Sequence, residues 1–276
     1  MNTQEKVAYL GPEGTFSQAA VVNHFGNTVE LVDCGSIDEV FAAVQNSRAA
    51  YGVVPVENST EGAVNNTQDC LIDSTVNIVG EVIVPIVHNL LVSEETKSSS
   101  ITKISSHKQS LAQCRQWILK FYPDVELVEC SSNAEASKLA SENSGVAAIA
   151  GSLAAEVYGL NILHEKIQDQ QHNSTRFLVL ANSTSSRSGS DKSSILIYAE
   201  NKPGALFRIL EPFENLQISL TKIETRPAKV EAWAYVFFID FEGHIEDDII
   251  VELFTRLKTC TAEIKVLGSY PVVANA

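Results

Sequence analysis

The sequence predicts an α/β protein with two folded regions, and three observations support that class. Short runs rich in valine alternate with helical stretches over residues 1–181, as in parallel sheets covered by helices. Residues 182–194 are rich in serine and contain no apolar side chain, which is typical of a flexible linker. Residues 195–276 follow the order βαββαβ, which is ferredoxin-like. The length of 276 residues suits about two domains.

The first half of the first region contains three strand-like runs, each followed by a helical stretch. Ser36 and Glu39 form a capping-box pattern, which marks the start of the second helix. Pro85 and His88 interrupt a long apolar run and favour a strand or a crossover there. The predicted strands are VAYLG (7–11), VELVDCG (29–35) and YGVVPVE (51–57), and the predicted helices lie near 15–25, 36–47 and 62–73.

A second set of strands predicts a second lobe. Its runs are KISS (103–106), VELVEC (125–130) and VAAIA (146–150). One helix between them has its predicted core face at Leu111, Cys114, Ile118 and Phe121. We place one lobe at about 1–78 with 161–181, and the other at 79–160. Ligands of open α/β sheets bind at the carboxyl ends of strands, so the cleft between the lobes is the predicted site.

The second region is a small module whose two helices each carry one apolar face. A partner subunit could complete the edges of so small a sheet. The predicted strands are 195–200, 217–225, 230–240 and 262–270, and the predicted helices are 204–214 and 247–258.

Composition argues against several classes of protein. The net charge of −14 disfavours nucleic-acid binding, because phosphate contacts need a clustered basic surface. No apolar run approaches the roughly 20 residues of a membrane span, and the first residues lack a signal-peptide pattern. We therefore expect a cytoplasmic protein without a membrane segment. The five cysteines are scattered without CxxC, and the six histidines without HExxH, so no metal site is predicted.

Four polar motifs stand at the ends or mouths of predicted strands. GPEGTFS (11–17) opens a helix, where backbone N–H groups favour an anion. VPVENSTEG (54–62) crowds a carboxylate, an amide and hydroxyls beyond a strand, and SSHKQSLAQC (105–114) again joins a strand to a helix. NSTRF (173–177) places a guanidinium beside two hydroxyls. Turns and caps explain each motif alone, but four together favour a site for a polar ligand.

These motifs, in this order, resemble the motif series of prephenate dehydratases, and AAIAGSLAAEVYGL (147–160) extends the match. ENKPGALFRIL (200–210), LTKIETRP (220–227) and WAYVFFIDFEGH (233–244) resemble the ACT regulatory domain attached to those enzymes. The resemblance covers nearly the whole chain. It implies a two-lobed, periplasmic-binding-protein-like catalytic region with an interlobe cleft. No chorismate mutase segment precedes the first motif, so the resemblance is to the monofunctional form.

The family reaction converts prephenate to phenylpyruvate with loss of water and carbon dioxide. It is a lyase step of L-phenylalanine biosynthesis and needs no cofactor or metal. The resemblance ties Thr175 to turnover. We expect its hydroxyl to donate a hydrogen bond to the leaving oxygen or to a carboxylate of the substrate, with Glu57 as a candidate proton source. The expected substrate-binding residues are Asn58, Ser59, Ser106, Gln113, Asn173, Arg176 and Thr15.

Arg176 has two interpretations. Its guanidinium can bind a carboxylate of the dianionic substrate through two parallel hydrogen bonds, or it can pair with a structural carboxylate. Residues 1–181 carry 10 lysines and arginines against 21 aspartates and glutamates. The region repels a dianion overall, so binding must come from local donors such as helix N-termini and hydroxyls.

The resemblance also implies feedback inhibition by L-phenylalanine at the second region. The helix start in NKPGAL suits the carboxylate of an amino acid, and ETRP could meet its ammonium group. One module offers little wall for a phenyl ring, so we expect two copies to form the pocket in a homodimer or homotetramer. The expected effector-binding residues are Asn201, Gly204, Ala205, Leu206, Glu224 and Thr225.

The sequence leaves two other functions open. Arogenate dehydratase performs the same chemistry on the amino-acid form of the side chain, and sequence does not identify the residues that discriminate. A non-catalytic two-lobed amino-acid sensor would use the same fold, because fold alone does not fix function. The intact NSTRF and VENS motifs argue against the sensor.

Overall fold

A computed structural model of the chain describes residues 4–199, 202–227 and 235–273. The strands are β1 (Lys6–Leu10), β2 (Glu30–Cys34), β3 (Tyr51–Asn58), β4 (Gly62–Ala63), β5 (Asn77–Pro85), β6 (Asn89–Val92), β7 (Lys103–His107), β8 (Glu126–Cys130), β9 (Val146–Ala150), β10 (Asn161–His164), β11 (Ser174–Ala181), β12 (Asp191–Tyr198), β13 (Leu220–Pro227), β14 (Tyr235–Glu242) and β15 (Glu263–Pro271). The helices are α1 (Phe16–Phe25), α2 (Ile37–Gln45), α3 (Asn65–Asp73), α4 (Lys108–Gln113), α5 (Arg115–Phe121), α6 (Asn133–Glu142), α7 (Ser152–Tyr158), α8 (Ala205–Asn215) and α9 (Asp248–Leu257).

These elements separate into two compact units. The first runs to Gln68 and resumes from Val82 to Phe177, and the second comprises Asp69–Glu81 and the chain from Leu178 onward. None of the described helices combines the length and apolar character needed to cross a membrane.

The sheet of the first lobe has the strand order β2-β1-β3-β11-β5, with β4 paired to β3, and both β5 and β11 include residues assigned to the second unit. Strand β1 pairs in parallel with both β2 and β3, so their carboxyl ends meet at one edge of the sheet. The predicted cap of α2 is confirmed, because Ser36 Oγ accepts a hydrogen bond from Glu39 N at 3.2 Å.

The second lobe has the strand order β10-β6-β9-β7-β8. Strand β7 is parallel to β8 and β9, and Leu111, Cys114 and Ile118 lie in the core beneath, as predicted. Phe121 was expected beside them but is 52% exposed. The reason is a helix break after Gln113: the following helix starts afresh at Arg115, which shifts the phase of its core face.

The chain passes between the two lobes at different residues from those expected. Strand β5 stays in the sheet of the first lobe through Pro85, and β10 pairs with β6 in the second lobe. The chain therefore crosses between lobes at residues 86–88 and again at 165–173, rather than near 78 and 160. The first crossing was misplaced because residues 76–93 form one long apolar run. Its hydrophobicity does not change at the point where the chain leaves the first sheet after β5 and enters the second at β6.

The second unit contains a four-stranded sheet of order β13-β14-β12-β15 with helices α8 and α9, the expected ferredoxin-like arrangement. Strand β12 begins at Asp191, inside the segment expected to be linker. The preceding turn is ordered by polar groups: the carboxylate of Asp191 accepts hydrogen bonds from Ser188 N and Gly189 N at 2.9 and 3.1 Å. Serine-rich composition here reflects turn formation rather than a lack of structure.

Candidate active site

The carboxyl ends of strands from both lobes border one cavity of about 570 Å³ in the first unit. The cavity lies beyond β1, β2 and β3 of the first lobe and beyond β7, β8 and β9 of the second. This is where open α/β sheets bind their ligands. The polar side chains that line it are Thr15, Ser17, Asp33, Asn58, His88, His107, Gln109, Ser110, Gln113, Ser131, Ser132, Asn133 and Thr175.

Four helices begin at the wall of this cavity. Their N-cap residues are Thr15, His107, Ser132 and Gly151, which start α1, α4, α6 and α7. A helix N-terminus presents free backbone N–H groups and the positive end of the helix dipole. The described part of the lining contains no lysine or arginine. The cavity therefore attracts anions through dipoles and neutral donors rather than through cationic side chains.

Two glycines allow the lobes to approach each other closely beside the cavity. Gly14 has a φ of 85°, and a Cβ there would lie 3.0 Å from the ring of Tyr158 and 3.2 Å from Ala154 Cα. A Cβ on Gly151 would lie 3.0 Å from the ring of Phe16. Any larger residue at these two positions would hold the lobes apart, so Gly14 of GPEGTFS serves interlobe packing as well as the helix start.

Asn133 is oriented by hydrogen bonds that occupy its side-chain oxygen. Its Oδ1 accepts from Ser110 Oγ at 2.9 Å and from His107 N at 3.2 Å. Ser106 Oγ lies 2.9 Å from the same oxygen and 2.6 Å from Ile149 O, so its single proton is shared between the two acceptors. The backbone N–H of His107 can only donate, which fixes which end of the amide is oxygen and which is nitrogen. The Nδ2 group, which has no hydrogen-bond partner among the described residues, is left to donate to a ligand in the cavity.

Gln113 and Asn58 follow the same pattern. Gln113 Oε1 accepts from Asn173 Nδ2 at 3.4 Å and lies 2.8 Å from His88 Nε2. Asn58 Oδ1 accepts from two backbone N–H groups of the following turn at 3.0 and 3.1 Å. In all three amides the oxygen is used by the protein, so the cavity faces N–H donors, which suit a carboxylate.

Thr175 is the central hydroxyl of the cavity. It is buried on β11, and its Oγ1 accepts a hydrogen bond from Asn58 Nδ2 at 2.9 Å. Because the oxygen accepts from Asn58, the hydroxyl proton remains available to a ligand. Phe177 also lines the cavity, whereas Arg176 between them does not, as expected where side chains alternate along a strand.

Arg176 and Glu57, both predicted as site residues, lie against each other instead. Arg176 Nε is 3.6 Å from Glu57 Oε2, and neither residue lines the cavity. Of the two interpretations of Arg176, the structure shows the pairing with a protein carboxylate. The period-two geometry of β11 explains the outcome, since a strand that presents Thr175 to the cavity turns its neighbour away.

Comparison with known proteins agrees with this architecture. The prephenate dehydratase family model matches residues 7–185, and the ACT domain model matches residues 193–258. The chain belongs to the prephenate dehydratase family. It is 53% identical over 266 residues to a bifunctional chorismate mutase/prephenate dehydratase of Pseudomonas aeruginosa, covering 96% of this chain and 73% of that protein.

Two further relatives are similar over almost their whole length. A prephenate dehydratase of Methanocaldococcus jannaschii is 37% identical over 273 residues, covering 96% of this chain and 98% of the relative. The crystal structure of a prephenate dehydratase from Arthrobacter aurescens in complex with L-Phe superposes with a TM-score of 0.89 at 32% identity, covering 97% of this chain and 90% of that one. The predicted family and fold class are thereby confirmed.

The other predicted substrate-binding residues of this family member lie around the cavity at different depths. Thr15 lines it and caps α1, with Oγ1 accepting from Gln18 N at 3.4 Å. Ser106 is fully buried beneath Asn133 and does not line the cavity. Ser59 and Asn173 also stand behind the lining, where Ser59 Oγ donates to Asn173 Oδ1 at 3.3 Å.

Nine of the thirteen polar lining residues that the structure describes were not among the predicted site residues, including Asn133, Ser110 and His88. Asn133 directly follows the N-cap of α6, and Ser110 lies inside α4. In the sequence, both therefore look like ordinary residues of a capped helix. His88 sits in the apolar run and was interpreted only as evidence against a helix. The sequence did contain a signal for Asn133: it is a polar residue that directly follows a helix cap at the carboxyl end of a strand.

The predicted effector residues near α8 form a helix start. Gly204 is the N-cap with a φ of 77°, a conformation that favours glycine. Ala205 and Leu206 begin the first turn, and Leu206 is 40% exposed. Asn201 lies outside the described residues.

Glu224 and Thr225 are consecutive on β13, where exposure alternates from residue to residue. Their side chains therefore point to opposite faces of the sheet. One bound amino acid cannot lie on the sheet and meet both side chains of the same subunit.

Proposed function

We propose that the chain catalyses the decarboxylative dehydration of prephenate to phenylpyruvate. The observation that carries the proposal is a cavity whose described lining contains no lysine or arginine and presents oriented amide N–H groups, helix N-termini and the hydroxyl of Thr175. Prephenate is a dianion, and such a lining can bind its two carboxylates. Relatives with this name match the chain over nearly its full length.

The chemistry asks little of the protein beyond assistance to one bond. The ring carboxylate leaves as carbon dioxide, and its bonding electron pair enters the ring. The ring hydroxyl departs with its own bonding pair and takes up one proton from solvent to become water. Formation of an aromatic ring drives the reaction. The demanding step is departure of the hydroxyl, and a donor placed at that oxygen lowers the barrier.

Thr175 is the donor that the geometry supports. An unassisted threonine hydroxyl is too weak an acid to transfer its proton at neutral pH, so Thr175 stabilises the departing oxygen by a hydrogen bond. Asn58 fixes the direction of that bond by donating to Thr175 Oγ1. Asn133 and Gln113 bind carboxylates through their N–H groups. Glu57, paired with Arg176 outside the lining, is left out of this mechanism.

The decisive experiment supplies the purified chain with prephenate and then with arogenate. We expect rapid formation of phenylpyruvate from prephenate and at most slow formation of phenylalanine from arogenate. The reverse preference would make the chain an arogenate dehydratase. Binding of either compound without turnover would support the sensor and overturn the proposed reaction.

We also propose that L-phenylalanine inhibits the enzyme through the helix start at Gly204, in a cytoplasmic homodimer or homotetramer. The support is the ACT family match and the start of α8 at Gly204, because a helix N-terminus favours an anion. In Gly204→Val, strain at positive φ and the added bulk should raise the inhibitory concentration at least tenfold while activity without L-phenylalanine persists. Unchanged inhibition would place the effector elsewhere. Light scattering at several protein concentrations tests the oligomer.

A further inference from the structure

We propose that His88 is a positioning residue, which holds Gln113 so that its N–H groups face the substrate. The inference rests on the proposed function, since Gln113 acts there as a donor to a carboxylate. His88 lies in the first crossover between the lobes, only 1% exposed, and it lines the cavity. Nothing in the reaction chemistry requires an imidazole at that place, so its role has to be sought in its contacts.

The orientation of two amides assigns the imidazole one tautomer. Gln113 Oε1 accepts from Asn173 Nδ2 at 3.4 Å, and Asn173 Oδ1 accepts from Ser59 Oγ at 3.3 Å. With both amides in this orientation, His88 Nε2, at 2.8 Å from Gln113 Oε1, carries the proton. His88 Nδ1 is buried with no hydrogen-bond partner among the described residues. Burial lowers the pKa of His88, in keeping with a neutral ring.

Hydrogen bonds continue from His88 through both crossovers into the first lobe. Asn173, in the second crossover, links Gln113 to Ser59 by accepting from Ser59 Oγ at 3.3 Å. Ser59 Oγ in turn accepts from Ser174 N at 3.0 Å, at the residue that precedes Thr175. The chain of contacts thus joins a helix of the second lobe to the strand that carries the reacting hydroxyl. Displacement of His88 would therefore change the position of the Gln113 N–H groups on one lobe relative to the Thr175 hydroxyl on the other.

The packing around His88 leaves the imidazole little freedom. The ring of Phe16 stands edge-on at a centroid distance of 5.8 Å, and His88 N donates to Gln168 Oε1 at 3.1 Å. His88 O accepts from Ile167 N at 2.8 Å. Backbone bonds on both sides hold the crossover, so the side chain presents Nε2 to Gln113 at a fixed place. The backbone of His88 therefore stabilises the crossover, whereas its side chain orients Gln113.

Two substitutions test the donor. His88→Leu removes the N–H and should lower kcat/KM by roughly tenfold to a hundredfold, the effect of losing a buried hydrogen bond that aims a charged-ligand donor. His88→Gln can place an amide N–H near the position of Nε2 and should recover most of that loss. Equal activity of the leucine variant and the wild type would overturn the proposal.

A double-substitution cycle separates positioning from general destabilisation. If His88 acts only through Gln113, then His88→Leu should have little further effect on kcat/KM once Gln113→Met is present. Independent, additive losses would overturn the proposal. The matched control is Gln168→Met, which weakens the same crossover without touching Gln113. It should lower the melting temperature while leaving kcat/KM within about threefold of the wild type.

An imidazole ¹⁵N NMR spectrum of the ligand-free full chain gives a readout that does not depend on turnover. We expect His88 in the wild type as the Nε2–H tautomer, and a mixture of tautomers in Gln113→Met. A fixed Nδ1–H tautomer in the wild type would contradict the inference. This spectrum does not depend on prephenate. If the wild type proved inactive on prephenate, the proposed reaction would be wrong, but the contact between His88 and Gln113 could still be tested.

Discussion

The two units of the molecule handle buried polarity in opposite ways. The cavity of the first unit binds charge with neutral amides, hydroxyls and helix ends, and its described lining has no cationic side chain. The second unit buries ions. There Lys192 Nζ lies 2.8 and 3.0 Å from the two oxygens of Glu81, and the carboxylate side chain is only 2% exposed.

A second cation of that unit, which is half-buried, caps the end of a helix. Lys265 Nζ donates to the carbonyl oxygens of Leu71 and Ile72 at 2.9 and 2.8 Å, at the end of α3, where carbonyl groups lack helical partners. Burial lowers the pKa of Lys265, against the opposing effect of Asp73 and Glu263. The negative end of the helix dipole favours the cation there.

The difference follows from whether the partner is permanent. Lys192 and Lys265 have partners in the same fold, so their desolvation is offset at all times. A lysine in the cavity would lose its partner whenever the ligand left, and its burial would then cost several kcal/mol. Neutral amides lose much less when empty. A site that fills and empties in each turnover is therefore better built from dipoles.

The largest expected effect comes from breaking the ion pair of the second unit. Glu81→Gln leaves Lys192 buried beside a neutral amide and should lower the free energy of unfolding by about 3–5 kcal/mol. Urea denaturation of the full chain measures the loss. The double variant Lys192→Met with Glu81→Leu should recover most of it. A loss under about 1 kcal/mol for Glu81→Gln would mean that the pair is effectively solvated.

The next effect comes from removing the hydroxyl of the cavity. Thr175→Ala should lower kcat by roughly 10²–10³-fold with little change in KM, as when one donor to a developing oxyanion is lost. Thr175→Ser should keep most of the activity, because the oxygen and its bond from Asn58 persist. Steady-state formation of phenylpyruvate measures both constants. Full activity of Thr175→Ala would assign the reaction to another donor.

Asn133→Asp tests the neutral donors directly. The carboxylate still accepts from Ser106, Ser110 and the backbone, but it replaces the Nδ2 donor with a negative oxygen. KM for prephenate should rise by roughly tenfold to a hundredfold, the effect of losing a hydrogen bond to a charged group and adding repulsion. Ser110→Ala, which removes only one orienting donor, should have a smaller effect. An unchanged KM for Asn133→Asp would remove Asn133 from substrate binding.

The smallest effects are expected at the pair of Arg176 and Glu57 in the first unit. Arg176→Lys and Glu57→Gln should each leave kcat and KM within about threefold, because neither residue lines the cavity. Each should lower stability by about 1 kcal/mol, because Arg176 is only 13% exposed but the Glu57 carboxylate is 40% exposed and screened by solvent. Kinetics and thermal melting of both variants measure this. A tenfold rise in KM for Arg176→Lys would instead assign its guanidinium to a substrate carboxylate.

Sequence reasoning succeeded where the signal was local. Strand runs, the cap at Ser36 and the βαββαβ order depend on residues a few positions apart, and the structure confirms them. Four predicted residues line the cavity: Thr15, Asn58 and Thr175, which lie at a helix start or at one end of a strand, and Gln113, which ends the short helix α4. The functional motifs identified the family, which hydrophobic periodicity alone does not indicate.

What the sequence missed depends on contacts between distant segments. The partner of Arg176 depends on which face of β11 meets the cavity, and the partners of Asn133 come from a helix and a strand about 25 residues away. His88 and Gln113 meet only because two crossovers bring them together. Such pairings follow from sheet register and lobe packing, which single-sequence patterns leave open.

The absence of cationic side chains from the described cavity lining also governs how a substrate arrives. With a net charge of −14, the chain repels a dianion at long range, so encounters in dilute buffer are slowed. Raising ionic strength from 0.01 to 0.15 M shortens the Debye length from about 30 to about 8 Å. That damps the repulsion more than the short-range hydrogen bonds inside the cavity. Most enzymes that attract charged substrates bind them more slowly as salt is added; this one should capture prephenate faster.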